Sequence, residues 1–211
     1  MMRDSASISI VCFGDSLTAG YQSPTHDVSI IRETPFGSFL QARLGPQATV
    51  MTSGVCGEVT SDMLLRFRQD VLAHRPDYVV ILGGTNDLGW HVAPAEIVSH
   101  LLCMYEQAFG VGIQPVAVTV PSIRMEVDPA AEQWLNELVT QRQHLNRSII
   151  EYCANKGIAC VDLFTATAEA KTLLLAGPYS NDGLHLTTEG YRKMADLLYE
   201  QVFQSRVPGH D

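Results

Sequence analysis

Short apolar runs alternate along the chain with longer stretches in which apolar residues recur every three or four positions. The first run, residues 8–13, is β-branched and apolar and too short for a buried helix, so a buried strand is expected. Comparable runs at 47–52, 77–82, 114–120 and 158–163 predict four more strands. Helical spacing marks 36–44, 60–74, 94–109, 130–155 and 188–203. Met63, Leu64, Phe67 and Val71 share a face of the second of these helices. Trp134, Leu135, Leu138, Leu145 and Ile149 do so in the fourth, and Met194, Leu197, Leu198 and Val202 in the last. Pro94 opens the third helix, while Arg75-Pro76 and Gly157 close the second and fourth. Residues 21–34 carry neither period and are expected as a loop.

Five strands separated by helices require βαβ crossovers, hence a parallel sheet covered on both faces. The expected architecture is an α/β fold, a three-layer α/β/α sandwich, with residues 1–211 forming one domain. In such a sheet the carboxyl ends of all strands lie on one edge, where ligands bind.

Composition narrows the function classes. The chain has 211 residues, is 46% hydrophobic and 18% charged, as a compact globule should be, and carries a net charge of -9. That charge argues against nucleic acid and anionic membrane surfaces as partners. No run approaches the roughly 18 apolar residues of a membrane span. The opening MMRDSAS has no apolar core of its own, so a cleaved leader is not expected. Cys12, Cys56, Cys103, Cys153 and Cys160 are odd in number and form no Cys-x-x-Cys, which suits reduced thiols in a cytoplasmic protein. No histidine–carboxylate cluster has metal-ligand spacing, so neither metal nor cofactor is expected.

The candidate chemistry sits where strands stop. The first strand ends at Gly14-Asp15-Ser16: glycine permits a sharp turn, Asp15 or Ser16 can cap a helix, and a serine at that corner holds its hydroxyl outward. A phosphate-binding loop is excluded, because the second glycine comes one residue late, at Gly20, and Tyr21 follows it. The Gly-x-Ser-x-Gly elbow is excluded by Thr18. The second strand delivers Ser53-Gly54-Val55-Cys56-Gly57, a source of unobstructed backbone N–H groups. The third delivers Gly83-Gly84-Thr85-Asn86-Asp87, with the Asn86 amide as a donor. Ahead of the final helix stands Asp182-Gly183-Leu184-His185. Residues three apart on a helical turn share a face, so the carboxylate can hold the imidazole while its other nitrogen serves a serine. The other six histidines lack such a partner.

Gly14-Asp15-Ser16-Leu17, Gly84-Thr85-Asn86-Asp87 and Asp182-Gly183-Leu184-His185, in that order over residues 8–203, resemble the blocks of the SGNH, or GDSL, hydrolase superfamily. The resemblance implies a flavodoxin-like sheet of order 2-1-3-4-5, no cofactor, and hydrolysis of esters or thioesters. It implies a catalytic triad of Ser16, His185 and Asp182, and an oxyanion hole of the Ser16 and Gly57 N–H groups and the Asn86 amide. Gly57 is preferred to Gly54 as donor. The family's glycine block, Asn-x-Gly-x-x-Gly-x-Thr, has Thr52 for its asparagine and Val59 for its threonine here, which weakens the expected support behind the oxyanion glycine.

The reading is of a serine hydrolase for short-chain acyl or acetyl esters, acting on a small-molecule ester. Leu88, Trp90, Ile123 and Leu184, with Met125 and Tyr179, are expected to line the acyl pocket, and Arg124, Glu126 and Asp128 to interrupt it. The alternatives are a thioesterase or lysophospholipase of the same family and a non-catalytic acyl-binding member of the fold. A receiver-like signalling domain wants a lysine after the fifth strand, where Leu163-Phe164 stand.

Overall fold

The computed structural model describes residues 7–25 and 29–206, so His26, His210 and residues 1–6 of the leader reading lie outside it. Five strands form one parallel sheet: β1 (Ile8–Gly14), β2 (Ala48–Gly54), β3 (Tyr78–Leu82), β4 (Gln114–Val118) and β5 (Ala159–Val161). Their order is β2-β1-β3-β4-β5, the flavodoxin-like order expected, with β1 between β2 and β3 and Ile10–Phe13 buried on both faces.

Among the described residues eight α-helices surround it: α1 (Ser16–Ala19), α2 (Phe36–Leu44), α3 (Thr60–Asp70), α4 (Thr85–Gly89), α5 (Pro94–Gly110), α6 (Glu132–Lys156), α7 (Leu163–Thr167) and α8 (Thr188–Leu198). Neighbouring residues of β1 show how the layers divide. Phe13 meets Phe67 of α3 edge-on at 5.3 Å. The opposite face, at Cys12, Val50 and Thr52, lies against Gly37 of α2, where a β-carbon would fall 2.5 Å from Thr52 Oγ1. Helices α5 and α6 join α3, and α8 joins α2. No described helix is long and apolar enough to cross a membrane.

Several expected boundaries move, each for a local reason. Helix α3 stops before Val71, and a 3-10 turn follows to Arg75, whose φ of 48° before Pro76 cannot continue a helix. Strand β4 ends at Val118, because the Asn146 side chain of α6 takes over the backbone of Val120: its Oδ1 accepts from that N–H and its Nδ2 donates to that carbonyl, both at 2.8 Å. Strand β5 ends at Val161, since Asp162 caps α7 by accepting from the Thr165 N–H at 3.1 Å. Helix α8 passes into a π-turn, Tyr199–Phe203, that carries Phe203 against Tyr78. The expected loop at 21–34 contains a two-stranded antiparallel ribbon, Tyr21–Gln22 with Arg32–Glu33.

Candidate active site

The carboxyl edge of the sheet gathers residues from β1, β2, β3 and the segment before α8. At the end of β1, Asp15 caps α1: its Oδ1 accepts from the Leu17 N–H at 2.9 Å. Ser16 opens that helix, 5% exposed, and its Oγ lies 3.1 Å from His185 Nε2. On the other side of the ring, Nδ1 lies 2.7 Å from Asp182 Oδ2. Ser16, His185 and Asp182 therefore form one hydrogen-bonded line.

Asp182-Gly183-Leu184-His185 is not a helical turn, as expected, but a bend held by its own aspartate. Asp182 Oδ1 accepts from the Leu184 and His185 N–H groups at 2.8 and 2.7 Å, an Asx turn that fixes the imidazole relative to the carboxylate. Ser180 Oγ accepts from the Gly183 N–H and donates to the His185 carbonyl at 2.6 Å. Ser23 donates to Asp182 Oδ2 at 2.5 Å, and the Tyr21 ring lies 4.5 Å from that of His185. Burial alone would raise the Asp182 pKa, but the hydrogen bonds from His185, Ser23 and the two backbone N–H groups win, and hold the carboxyl well below the usual carboxylate range. Asp182 thus stays ionised beside the histidine.

Asp15 shows the opposite balance. It is fully buried, its Oδ2 has no partner among the described residues, and desolvation outweighs the Leu17 hydrogen bond and the attraction of His185, raising its pKa from 3.8 to about 7. Between those values the folded protein keeps a proton that the unfolded chain has released, so stability falls as pH rises through that window. Asp15→Asn keeps the cap and removes the buried charge. We expect its Tm to exceed that of the natural protein by several degrees at pH 8, with the gap closing toward pH 4. Scanning fluorimetry across pH checks this, and a gap independent of pH contradicts it.

Strand β2 leads into Gly54 and Gly57, which the structure treats differently. A β-carbon on Gly54 would fall 2.2 Å from the Ala19 nitrogen, so this glycine lets α1 pack on the strand end. Gly57 sits in an open turn at φ 81°, with nothing within 4 Å of a β-carbon, and its N–H has no partner among the described residues. Asn86, on α4, donates from Nδ2 to the Glu58 carbonyl at 2.8 Å, which ties its amide to the residue after Gly57.

The support behind this turn comes from side chains the sequence reading passed over. Arg66 of α3 donates from Nε to both Glu58 carboxylate oxygens at 2.7 Å, from Nη1 to Ser53 Oγ and Asp70, and from Nη2 to the Gly14 carbonyl at 2.9 Å. Its guanidinium also lies over the Phe13 ring at 4.2 Å. One arginine therefore fastens the ends of β1 and β2 to the Gly57 turn. Asp87, 1% exposed, accepts from the Thr60 N–H and hydroxyl. It caps α3 from another element, because Val59 at the N-cap has no side-chain oxygen to do so. Among the described residues no three His, Cys, Asp or Glu side chains converge as a metal site.

Beside Asn86 and Asp182 opens a cleft of about 510 Å³. Leu88, Trp90, Ile123, Leu184 and Met125 all line it, whereas Tyr179 does not and packs against the main core. Nor does Arg124 interrupt it: Nε donates to the Leu175 carbonyl at 2.6 Å and Nη2 pairs with Glu169. Helix α6 contributes Trp134, Leu138 and Arg142 to its lining. Arg142 was legible as an anomaly, a charge at the spacing of Leu135, Leu138, Leu145 and Ile149.

Residues 12–193 match the model of the GDSL-like Lipase/Acylhydrolase family. The chain is 22% identical to the Uncharacterized lipoprotein YqeF of Bacillus subtilis (strain 168), over 94% of this chain and 89% of that protein. It is 35% identical to an arylesterase of Vibrio mimicus over 46% of each chain. The crystal structure of the lipase/acylhydrolase from Enterococcus faecalis superposes with a TM-score of 0.73 at 26% identity, covering 95% of this chain and 97% of that one.

Proposed function

The chain belongs to the GDSL-like lipase/acylhydrolase family, a family of hydrolases acting on esters, and from that premise we propose that it cleaves short-chain carboxylic esters through an acyl-enzyme on Ser16. The observation that carries the reading is the line from Asp182 through His185 to Ser16, with contacts of 2.7 and 3.1 Å. His185 Nε2 takes the Ser16 proton as Oγ attacks the ester carbonyl, while Asp182 holds the tautomer and offsets the imidazolium charge. The tetrahedral oxyanion is met by the Ser16 and Gly57 N–H groups and the Asn86 amide. His185 then protonates the leaving alcohol, and water, activated by the same nitrogen, releases the acid.

The short-chain preference rests on the cleft. Its apolar lining is a limited set, chiefly Leu88, Trp90, Ile123, Leu138 and Leu184, and each methylene contributes about 0.8 kcal/mol only where wall continues to meet it. Beyond that point the ordering cost remains without the gain. We expect kcat/KM for p-nitrophenyl esters to peak between acetate and hexanoate. A clear preference for palmitate, measured below its aggregation limit, would refute the chain-length claim. An organophosphonate should label Ser16, located by peptide mass spectrometry. Inertness toward both esters and the phosphonate would favour a non-catalytic acyl-binding role.

A further inference from the structure

Arg142 is 3% exposed and lines the cleft, yet no counter-ion among the described residues meets its guanidinium. Its one hydrogen bond runs from Nη1 to the Leu138 carbonyl of its own helix, at a long 3.3 Å. Among the described residues Nε has no partner and no carboxylate pairs with the group. The other two arginines around the site show how this fold treats a guanidinium it uses structurally. Arg66 is filled by Glu58, Asp70, Ser53 and Gly14, and Arg124 by Glu169 and Leu175, although both are more exposed than Arg142. A buried cation without a partner is costly, and so is each unsatisfied donor. Burial lowers the Arg142 pKa to about 10, so the group is still charged at neutral pH. Asp182 lines the same cleft but is engaged by His185, Ser23 and two backbone N–H groups.

We propose that Arg142 is the receptor for a carboxylate on the substrate, so that the preferred ester is a monoanion bearing a short methylene chain between ester and acid. This rests on Ser16 being the nucleophile. The walls suit such a molecule: Leu88, Ile123, Leu138 and Leu184 offer apolar surface for the methylenes in the cleft that Asn86 and Arg142 also line. A guanidinium fork matches a carboxylate in two parallel hydrogen bonds, which a neutral chain end cannot supply. The net charge of -9 repels anions at long range, so selectivity for one must come from a local cation within the cleft.

The carboxylate can belong to the acyl part or to the alcohol part, and two substrate pairs separate these. Monomethyl glutarate is compared with methyl valerate, and acetoxyacetate with ethyl acetate, by pH-stat. We expect kcat/KM to favour the anion in one pair by roughly 10- to 100-fold, the worth of a charged hydrogen bond made in place of none. In Arg142→Met that ratio should fall toward one. If the natural protein turns over neutral esters as fast as both anions, or if Arg142→Met keeps the preference, the proposal is overturned. Should Arg142→Met fail to fold, the natural protein's own ratios still decide. A protein inert to every ester would defeat the nucleophile reading instead. In that case monomethyl glutarate should still raise the Tm of the natural protein more than methyl valerate does, and equal shifts would defeat the subsite as well.

Discussion

Ser16→Ala and His185→Ala should each lower kcat by on the order of 10³-fold or more, and the double variant should be little worse than either single change. The expectation follows from the single line of contacts through which the two act. Ser16 Oγ touches His185 Nε2 at 3.1 Å, and the imidazole is set by Asp182 at 2.7 Å and by the Tyr21 ring. Without the hydroxyl the base has no proton to move, and without the base the hydroxyl is a weak nucleophile at neutral pH. Losses that share one cause do not add, whereas two independent contributions would multiply. The fold should survive Ser16→Ala, because α1 is capped by Asp15 and its first residue makes no other side-chain hydrogen bond. Steady-state kinetics on an acetyl ester, with Tm measured beside it, tests the claim. Full activity in purified Ser16→Ala protein would sink it.

The parts of this site that the sequence made legible are those carried by local pattern. Residues 8–13 and 77–82 read as strands, so Gly14-Asp15-Ser16 and Gly84-Thr85-Asn86 had to fall at the edge of a parallel sheet. Asp182 and His185 could be paired from spacing alone, although an Asx turn rather than a helical one joins them. The illegible parts depend on contacts distant in the chain. Arg66 reads as an ordinary charge on an amphipathic helix. Its partners, Gly14 and Ser53 beside Glu58 and Asp70, are assembled only when β1, β2 and α3 meet. That is also why the turn's support could not be read at Thr52 and Val59, which stand in place of the family's asparagine and threonine. The support behind Gly57 comes here from the Arg66–Glu58 pair and from Thr60 on Asp87. Ser23 could not be placed because the ribbon at Tyr21–Gln22 is too short to show a period. The cleft wall on α6 was hidden for another reason: Trp134 and Leu138 read as core residues of a long helix, and only the interruption at Arg142 marked a surface with a different use.

Asn86→Ala should cost roughly 10²–10³ in kcat, about 2.7–4 kcal/mol, with a much smaller change in KM. A primary amide carries two N–H groups, and in Asn86 one of them is bound to the Glu58 carbonyl at 2.8 Å. That bond orients the side chain before substrate arrives, so the second N–H is available to an oxyanion with no reorganisation to make at the moment of reaction. A donor placed for the tetrahedral intermediate rather than the planar ester gains strength as charge develops, and its loss is therefore felt in the transition state. The same bond gives a second route to the effect, because it joins Asn86 to the turn that presents Gly57. Asn86→Ala would then loosen two donors at once. Arg66→Met separates the routes: it releases Glu58 and the Gly57 turn from α3 while leaving the Asn86 amide in place. If presentation of the turn dominates, Arg66→Met approaches the loss seen in Asn86→Ala. If the amide itself dominates, kcat falls far less in Arg66→Met. A change confined to KM in Asn86→Ala would make this residue one that binds the ester equally before and during reaction, and would remove it from the oxyanion hole.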